Sequence, residues 1–191
     1  MTLTDAQWRR REFLVGAWAL SESLSWPLLP DMIVGALSAH ASRAQAGRLA
    51  AVATVGSAAG AALHHRLASH GVKVPLPLTT PRMVDAVDRW LGRHPFAGFA
   101  RQPLSGVPHK VFAARAPAHG VSQGELIVAT LLFRGPRLAV TAMGAATVAS
   151  AAQRHLDRLA PSAPALARTA TAAASLAAFS LTLARMLRRW E

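Results

Sequence analysis

Runs of small and apolar residues, divided by basic clusters and groups of prolines, set the pattern of this chain. Residues 1–12 are polar and basic, and Thr4 or Asp5 is placed to cap a helix starting near Ala6. From Phe13 to Ala41 nearly every position is apolar or small, but Glu22 and Asp31 interrupt it, with Pro27 and Pro30 between them. Proline removes an N–H and clashes with the preceding turn, so no single helix passes through. Leu49–Leu63 is a run of small residues in which Gly56 and Gly60, four apart, make a face for close helix contact. Pro75, Pro77 and Pro81 mark 71–81 as an exposed loop. In 82–93, Met83, Val87, Trp90 and Leu91 share one face, which predicts an amphipathic helix on a surface or against the bundle. Residues 95–118 are broken by Pro95, Pro103, Pro108 and Pro117, with Lys110 among them. A short helix over Val121–Phe133 is followed by Arg134-Gly-Pro-Arg137 and then by helical runs at Leu138–Ala152 and Ala165–Ala184. Strand-like alternation is weak throughout, which predicts an all-α chain.

None of these runs reaches the roughly 20 uncharged residues of a simple spanning helix. Buried helices of a soluble bundle give similar runs, so hydropathy alone leaves both readings open. The 191 residues suit one domain, and the 52% hydrophobic content excludes intrinsic disorder. Without cysteine there is no disulfide scaffold, thiolate metal site or Cys nucleophile.

Charge changes the picture more. The net charge is +12, from 21 Lys+Arg against 9 Asp+Glu, so anionic surfaces attract the chain. Nucleic-acid binders concentrate such charge in a stripe interleaved with aromatics. Here aromatics are 6% and Tyr is absent. The basic residues gather at the ends of apolar runs: Arg9–Arg11, Arg43 with Arg48, Arg82/Arg89/Arg93, Arg154/Arg158 and Arg185/Arg188/Arg189. That arrangement fits membrane flanks facing anionic lipid, and both basic ends are expected on the cytoplasmic side. No small-x-small cleavage site follows the Arg triplet, so a signal peptide is not expected. His64 and His65 diverge by about 100° on a helix, form no metal motif, and fit a membrane interface or a helix end. No nucleophile elbow, P-loop or dinucleotide fingerprint is present, so neither an enzyme, a cofactor nor a metal is expected.

Two segments share a design. Residues 22–31 (ESLSWPLLPD) and 102–110 (QPLSGVPHK) are apolar, broken by proline, and carry ionisable groups beside the prolines. Taken singly, Asp31 could cap a helix starting at Met32, Glu22 could face solvent, and Lys110 could snorkel. Together, broken segments in corresponding halves point to an inverted-repeat membrane protein whose site lies where the tips meet. One tip supplies carboxylates and the other an ammonium, with Arg134 and Arg137 soon after.

These residues carry a family resemblance. ESLSWPLLPD resembles the E-S-x-x-x-P-x-x-P-D signature of the DedA superfamily, in its YqaA-like branch (SNARE-associated, or VTT-domain, proteins). Pro108-His-Lys110-Val-Phe is similar to that branch's P-x-K-V-F, Arg134-Gly-Pro-Arg137 to its R-G-x-R, and Gly56-Ser-Ala-Ala-Gly60 to its G-S-x-x-G helix. The resemblance covers about residues 10–150. The chain departs from the pattern at His64-His65-Arg66 and at Ser105-Gly106.

The resemblance implies a multi-pass bacterial inner-membrane helix bundle with two opposed re-entrant hairpins, 22–31 and 102–110. The whole chain would be one membrane domain: a basic segment 1–12, a first half 13–70, a loop and amphipathic helix 71–93, a second half 94–152 and a C-terminal helix 160–191. It implies movement of phospholipids or polyprenyl-phosphate carriers, with protons or sodium as coupling ions. Glu22 and Asp31 would bind the coupling ion. Lys110, Arg134 and Arg137, with Arg101 a further candidate, would contact the anionic head group of a membrane lipid. Pro27, Pro30, Pro103 and Pro108 would shape the tips, and a homo-oligomer is compatible. Two other classes stay open: a soluble or peripheral basic helical protein binding nucleic acid or anionic membrane, and a membrane scaffold without transport.

Overall fold

The computed structural model describes residues 4–27 and 30–159, with positions 177, 181, 184, 185, 188 and 190; the expected helix over 160–191 lies largely outside them. All regular structure among the described residues is helical.

Helix α1 spans Asp5–Leu24 and starts on a Thr4 capping box closed by Gln7, so the basic N-terminal residues belong to the helix rather than preceding it. It stops two residues short of Pro27, where the Trp26 N–H turns back to the Ser21 carbonyl at 2.7 Å. Helix α2, Pro30–Ser38, begins on proline, whose missing N–H costs nothing in a first turn. Asp31 thus sits inside that first turn.

Helix α3, Arg43–Ser69, opens on a second capping box, Ser42 with Gln45. It lies against α1 at backbone distance. A methyl group added at Gly56 would collide with the Gly16 carbonyl, and one at Gly60 with the Leu20 carbonyl. The small-residue face therefore packs onto α1.

Residues 71–80 form the expected loop, but it is tied to the end of α1, because the Ser25 hydroxyl donates to the Pro75 carbonyl at 2.8 Å. Helix α4, Pro81–Arg93, starts on Thr80 and buries Met83, Ala86, Val87 and Leu91. On its outer side Asp88 accepts from Arg115 Nε at 2.7 Å and pairs with His119 Nε2 at 2.8 Å. Burial opposes ionisation of Asp88, but these two partners outweigh it and hold the carboxyl below its ordinary range.

A 3-10 turn, Ala97–Arg101, leads through the single turn α5, Gln102–Ser105, to Gly106 in the left-handed conformation (φ 78°). Helix α6, His109–Arg115, follows Pro108. Trp190 reaches back to this region, donating from its indole to the Ser105 carbonyl at 3.1 Å.

Arg134-Gly-Pro-Arg137 does not separate two helices. Helix α7, Gln123–Ala129, continues through a π-helical turn, Thr130–Arg134, into α8, Gly135–Leu159. The wide turn absorbs Pro136, which has no N–H for the Leu132 carbonyl. The result is one helix where two were expected. Among the described residues, two helices are long and apolar enough to cross a membrane, Arg43–Ser69 and Gln123–His155, although no uninterrupted run in the sequence suggested it.

Among the described residues the interior divides into two apolar clusters. Val15, Ala19, Val34, Leu49 and Leu138 join α1, α2, α3 and α8. Met83, Leu91, Phe99, Phe112 and Leu126 join α4, α6 and α7. The buried set also holds Glu22, Asp31, His64, His65, His109, Lys110 and Arg134, while Phe13 is 73% exposed, Val140 73%, Val148 66% and Val55 63%. Several charged side chains are thus buried beside the apolar clusters, while some large apolar side chains are exposed.

Candidate functional site

The end of α1 delivers Glu22 to the centre of the molecule, 1% exposed, and the π-turn delivers Arg134, 3% exposed. Arg134 Nη2 donates to Glu22 Oε2 at 2.5 Å. The π-turn matters here, because its extra residue rotates Arg134 inward while α8 continues beyond it. One turn later Arg137 Nε donates to Asp31 Oδ1 at 2.9 Å, and its Nη1 donates to the Pro103 carbonyl at 3.1 Å. Thr141 adds a hydroxyl to Asp31 at 3.3 Å. Arg137 thereby ties the start of α2 to α5.

Lys110 reaches from α6 to the end of α1. Its Nζ donates to the carbonyls of Ser25 at 3.2 Å, Trp26 at 3.3 Å and Pro77 at 2.7 Å. An ammonium has three hydrogens, so these acceptors saturate it. Segments 22–31 and 102–110 therefore meet, through Lys110 to Ser25 and Trp26 and through Arg137 to Asp31 and Pro103. The five charged residues carry three positive and two negative charges, and the pairing leaves an excess of one positive charge.

A second tier lies beside the Glu22–Arg134 pair. The Thr130 hydroxyl donates to the Leu126 carbonyl at 2.7 Å, so toward His109 Nε2, 3.0 Å away, it accepts. The tautomer that satisfies this contact carries its hydrogen on Nε2, and Nδ1 is buried without a partner. His64 lies against the backbone of Ser23 and Leu24, also with an unpartnered buried Nδ1. His64 and His65 lie in the last two turns of α3 and are both buried, His65 against the Val121 carbonyl at 2.8 Å. Glu22 Oε1, Arg134 Nε, Ser57 Oγ and Gln102 Oε1 are likewise buried and unpartnered. A buried unpaired polar atom costs about 1–3 kcal/mol, a cost that a bound water or ligand at such an atom would relieve.

Of the residues singled out in the sequence, Glu22, Asp31, Lys110, Arg134 and Arg137 converge. Pro30 and Pro108 start α2 and α6, Pro27 lies in the turn after α1, and Pro103 contributes its carbonyl to Arg137. Gly56 and Gly60 hold α3 against α1. Arg101 stands apart, lining a surface cleft with Trp90, Leu104, Ser105 and Trp190. His109, Thr130 and Gln102 were not anticipated. His109 sits inside the Pro-His-Lys motif, but nothing in its spacing shows that it points inward. Among the described residues no three His, Asp or Glu side chains converge as metal ligands. The chain was compared with protein-family models, curated proteins and solved structures, and matched none of them.

Proposed function

We propose that this chain is an integral membrane protein of the DedA/YqaA-like type, in the bacterial inner membrane, that carries a lipid with an anionic head group across the bilayer. The observation that carries the reading is the burial of Glu22, Asp31, Lys110 and Arg134, with Arg137 against Asp31, where two proline-broken segments meet beside two membrane-length helices. Ionisable groups at membrane depth are tolerated when paired and facing the bundle interior, and there they serve transport.

Length supports the same reading. The apolar part of α1, residues 13–24, rises about 18 Å and α2 about 13 Å, against a hydrocarbon core of about 30 Å. Neither crosses, so α1 and α2 together enter and return as a re-entrant hairpin. The exposed Phe13, Val55, Val140 and Val148 then face acyl chains, an arrangement that a soluble nucleic-acid binder would not need. In transport, protonation of Glu22 releases Arg134, and the freed guanidinium receives the head-group phosphate.

Purified protein reconstituted into phosphatidylcholine vesicles with a trace of fluorescent phosphatidylglycerol tests this. Lipid flip measured by dithionite quenching should be faster than in empty vesicles, and Glu22→Gln or Arg134→Gln should abolish the increase. A wild type no faster than empty vesicles would overturn the transport reading. That result would favour the scaffold reading, for which saturated Lys110, a staple between backbone segments, is the supporting observation.

A further inference from the structure

We propose that His109 is a proton-carrying ligand of the anion site, taking up a proton on Nδ1 when a phosphate oxygen enters against Arg134. The inference rests on the transport reading above and adds a residue, His109, that the family resemblance does not name.

The geometry comes first. His109 is 1% exposed and fixed by Thr130, which leaves Nδ1 as its free nitrogen. Arg134 closes the π-turn that Thr130 opens, one turn along from the hydroxyl that holds the imidazole, and has an unpartnered buried Nε–H. His64 on α3 is a second imidazole within electrostatic reach. Two buried nitrogens, Arg134 Nε and His109 Nδ1, thus have no acceptor while Arg134 Nη2 is held by Glu22. A phosphate entering beside Arg134 would bring acceptor oxygens for such donors, and Nδ1 can use one only if it carries a hydrogen.

Charge then sets the order of events. Among the described residues, the charged and titratable groups on and around α6 are Glu22 from α1, His64 and His65 from α3, Asp88 from α4, His119 from the following turn and Arg134 from the π-turn, with Lys110 and Arg115 on α6 itself. Asp88 is committed to Arg115 and His119, and Glu22 to Arg134. Without an anion, a proton on His109 would add a second positive charge beside Arg134 with no free counter-charge. With a phosphate present, the imidazolium gains an acceptor and an opposite charge. Proton uptake and anion binding therefore favour one another, and linkage makes the effect reciprocal. The balance is simple: one proton from water is added to Nδ1, Nε2–H is retained, and the imidazole becomes imidazolium.

The test is nitrogen NMR of histidine-labelled full-length protein in phosphatidylcholine vesicles. Three preparations are compared: no added anion, added inorganic phosphate at matched ionic strength, and a phosphatidylglycerol fraction in the bilayer. Exposed His40 reports the change in surface potential. The His109 midpoint is expected to rise by about one pH unit more than that of His40, a coupling of roughly tenfold. The preparation that produces the rise tells a lipid head group from free phosphate. Thr130→Val, which frees the imidazole from its fixed tautomer, should weaken the coupling in a folded protein even where His109→Gln does not fold. A His109 midpoint that tracks His40 in both anion preparations, or a His109 already charged at neutral pH without anion, would overturn the inference. Lipid flip by the same preparation is scored separately: flip without a His109 response refutes this inference alone, and no flip refutes the transport reading.

Discussion

Arg134 and Glu22 lie 112 residues apart in the chain and meet at 2.5 Å, both buried. Their pairing joins the end of α1 to the π-turn between α7 and α8, and it makes each residue's burial depend on the other. Removing one partner strands an uncompensated buried charge, which costs about 3–5 kcal/mol, whereas removing both is far milder. Glu22→Gln and Arg134→Met should each lower thermal stability in detergent, and the double variant should recover most of the loss. Additive losses in this double-mutant cycle would show that the two side chains are not coupled.

The contact between α1 and α3 gives a sharper steric prediction. Gly56→Ala and Gly60→Ala each force a methyl group into an α1 carbonyl, and overpacking of this kind costs about 1–3 kcal/mol. Gly144→Ala, with open space around it on α8, is the control and should be neutral or stabilising by up to about 1 kcal/mol. Equal melting temperatures for all three variants would contradict the close approach.

Lys110 predicts a local effect. Lys110→Met removes the donor to Ser25, Trp26 and Pro77, so hydrogen exchange and protease cleavage within residues 71–80 should rise while α3 stays protected. Unchanged protection of 71–80 would mean that the loop is held by other contacts.

Asp88 supplies a pH dependence with a defined sign. Its folded-state pKa is depressed by Arg115 and His119, so its contribution is fully present above the ordinary carboxylate value and fades as pH falls through the lower folded value. Hydrogen exchange of α4 should therefore be flat from neutral pH to about pH 5 and accelerate, beyond the intrinsic chemical rate, only in the acid range below the ordinary Asp value of about 3.9. Asp88→Asn should remove that acid response. Loosening of α4 that sets in at neutral pH would point to a different group.

The sequence carried the elements that depend on local chemistry. The cap at Thr4, the amphipathic face of α4, the proline-bounded breaks and the Gly56/Gly60 contact face all follow from residue types at fixed spacing. It also marked Glu22, Asp31, Lys110, Arg134 and Arg137 as one constellation, although not which acid pairs with which base. Two things were illegible. Pro136 reads as a helix break, and only tertiary packing shows that a π-turn absorbs it and aims Arg134 inward. His64 and His109 read as ordinary polar residues, because inward orientation depends on which helix face α6 presents to α3. No local pattern encodes that.

The central claim, a protein with a buried ion-pair cluster and its exposed apolar side chains toward lipid, is tested most directly by single-cysteine labelling, since the sequence has no cysteine. Cysteines placed at Phe13, Val140 and Val148 in vesicles should resist water-soluble maleimide, and fluorophores attached there should be quenched by nitroxides on lipid acyl chains. Prompt maleimide labelling at all three, with no quenching from the acyl chains, would contradict the account.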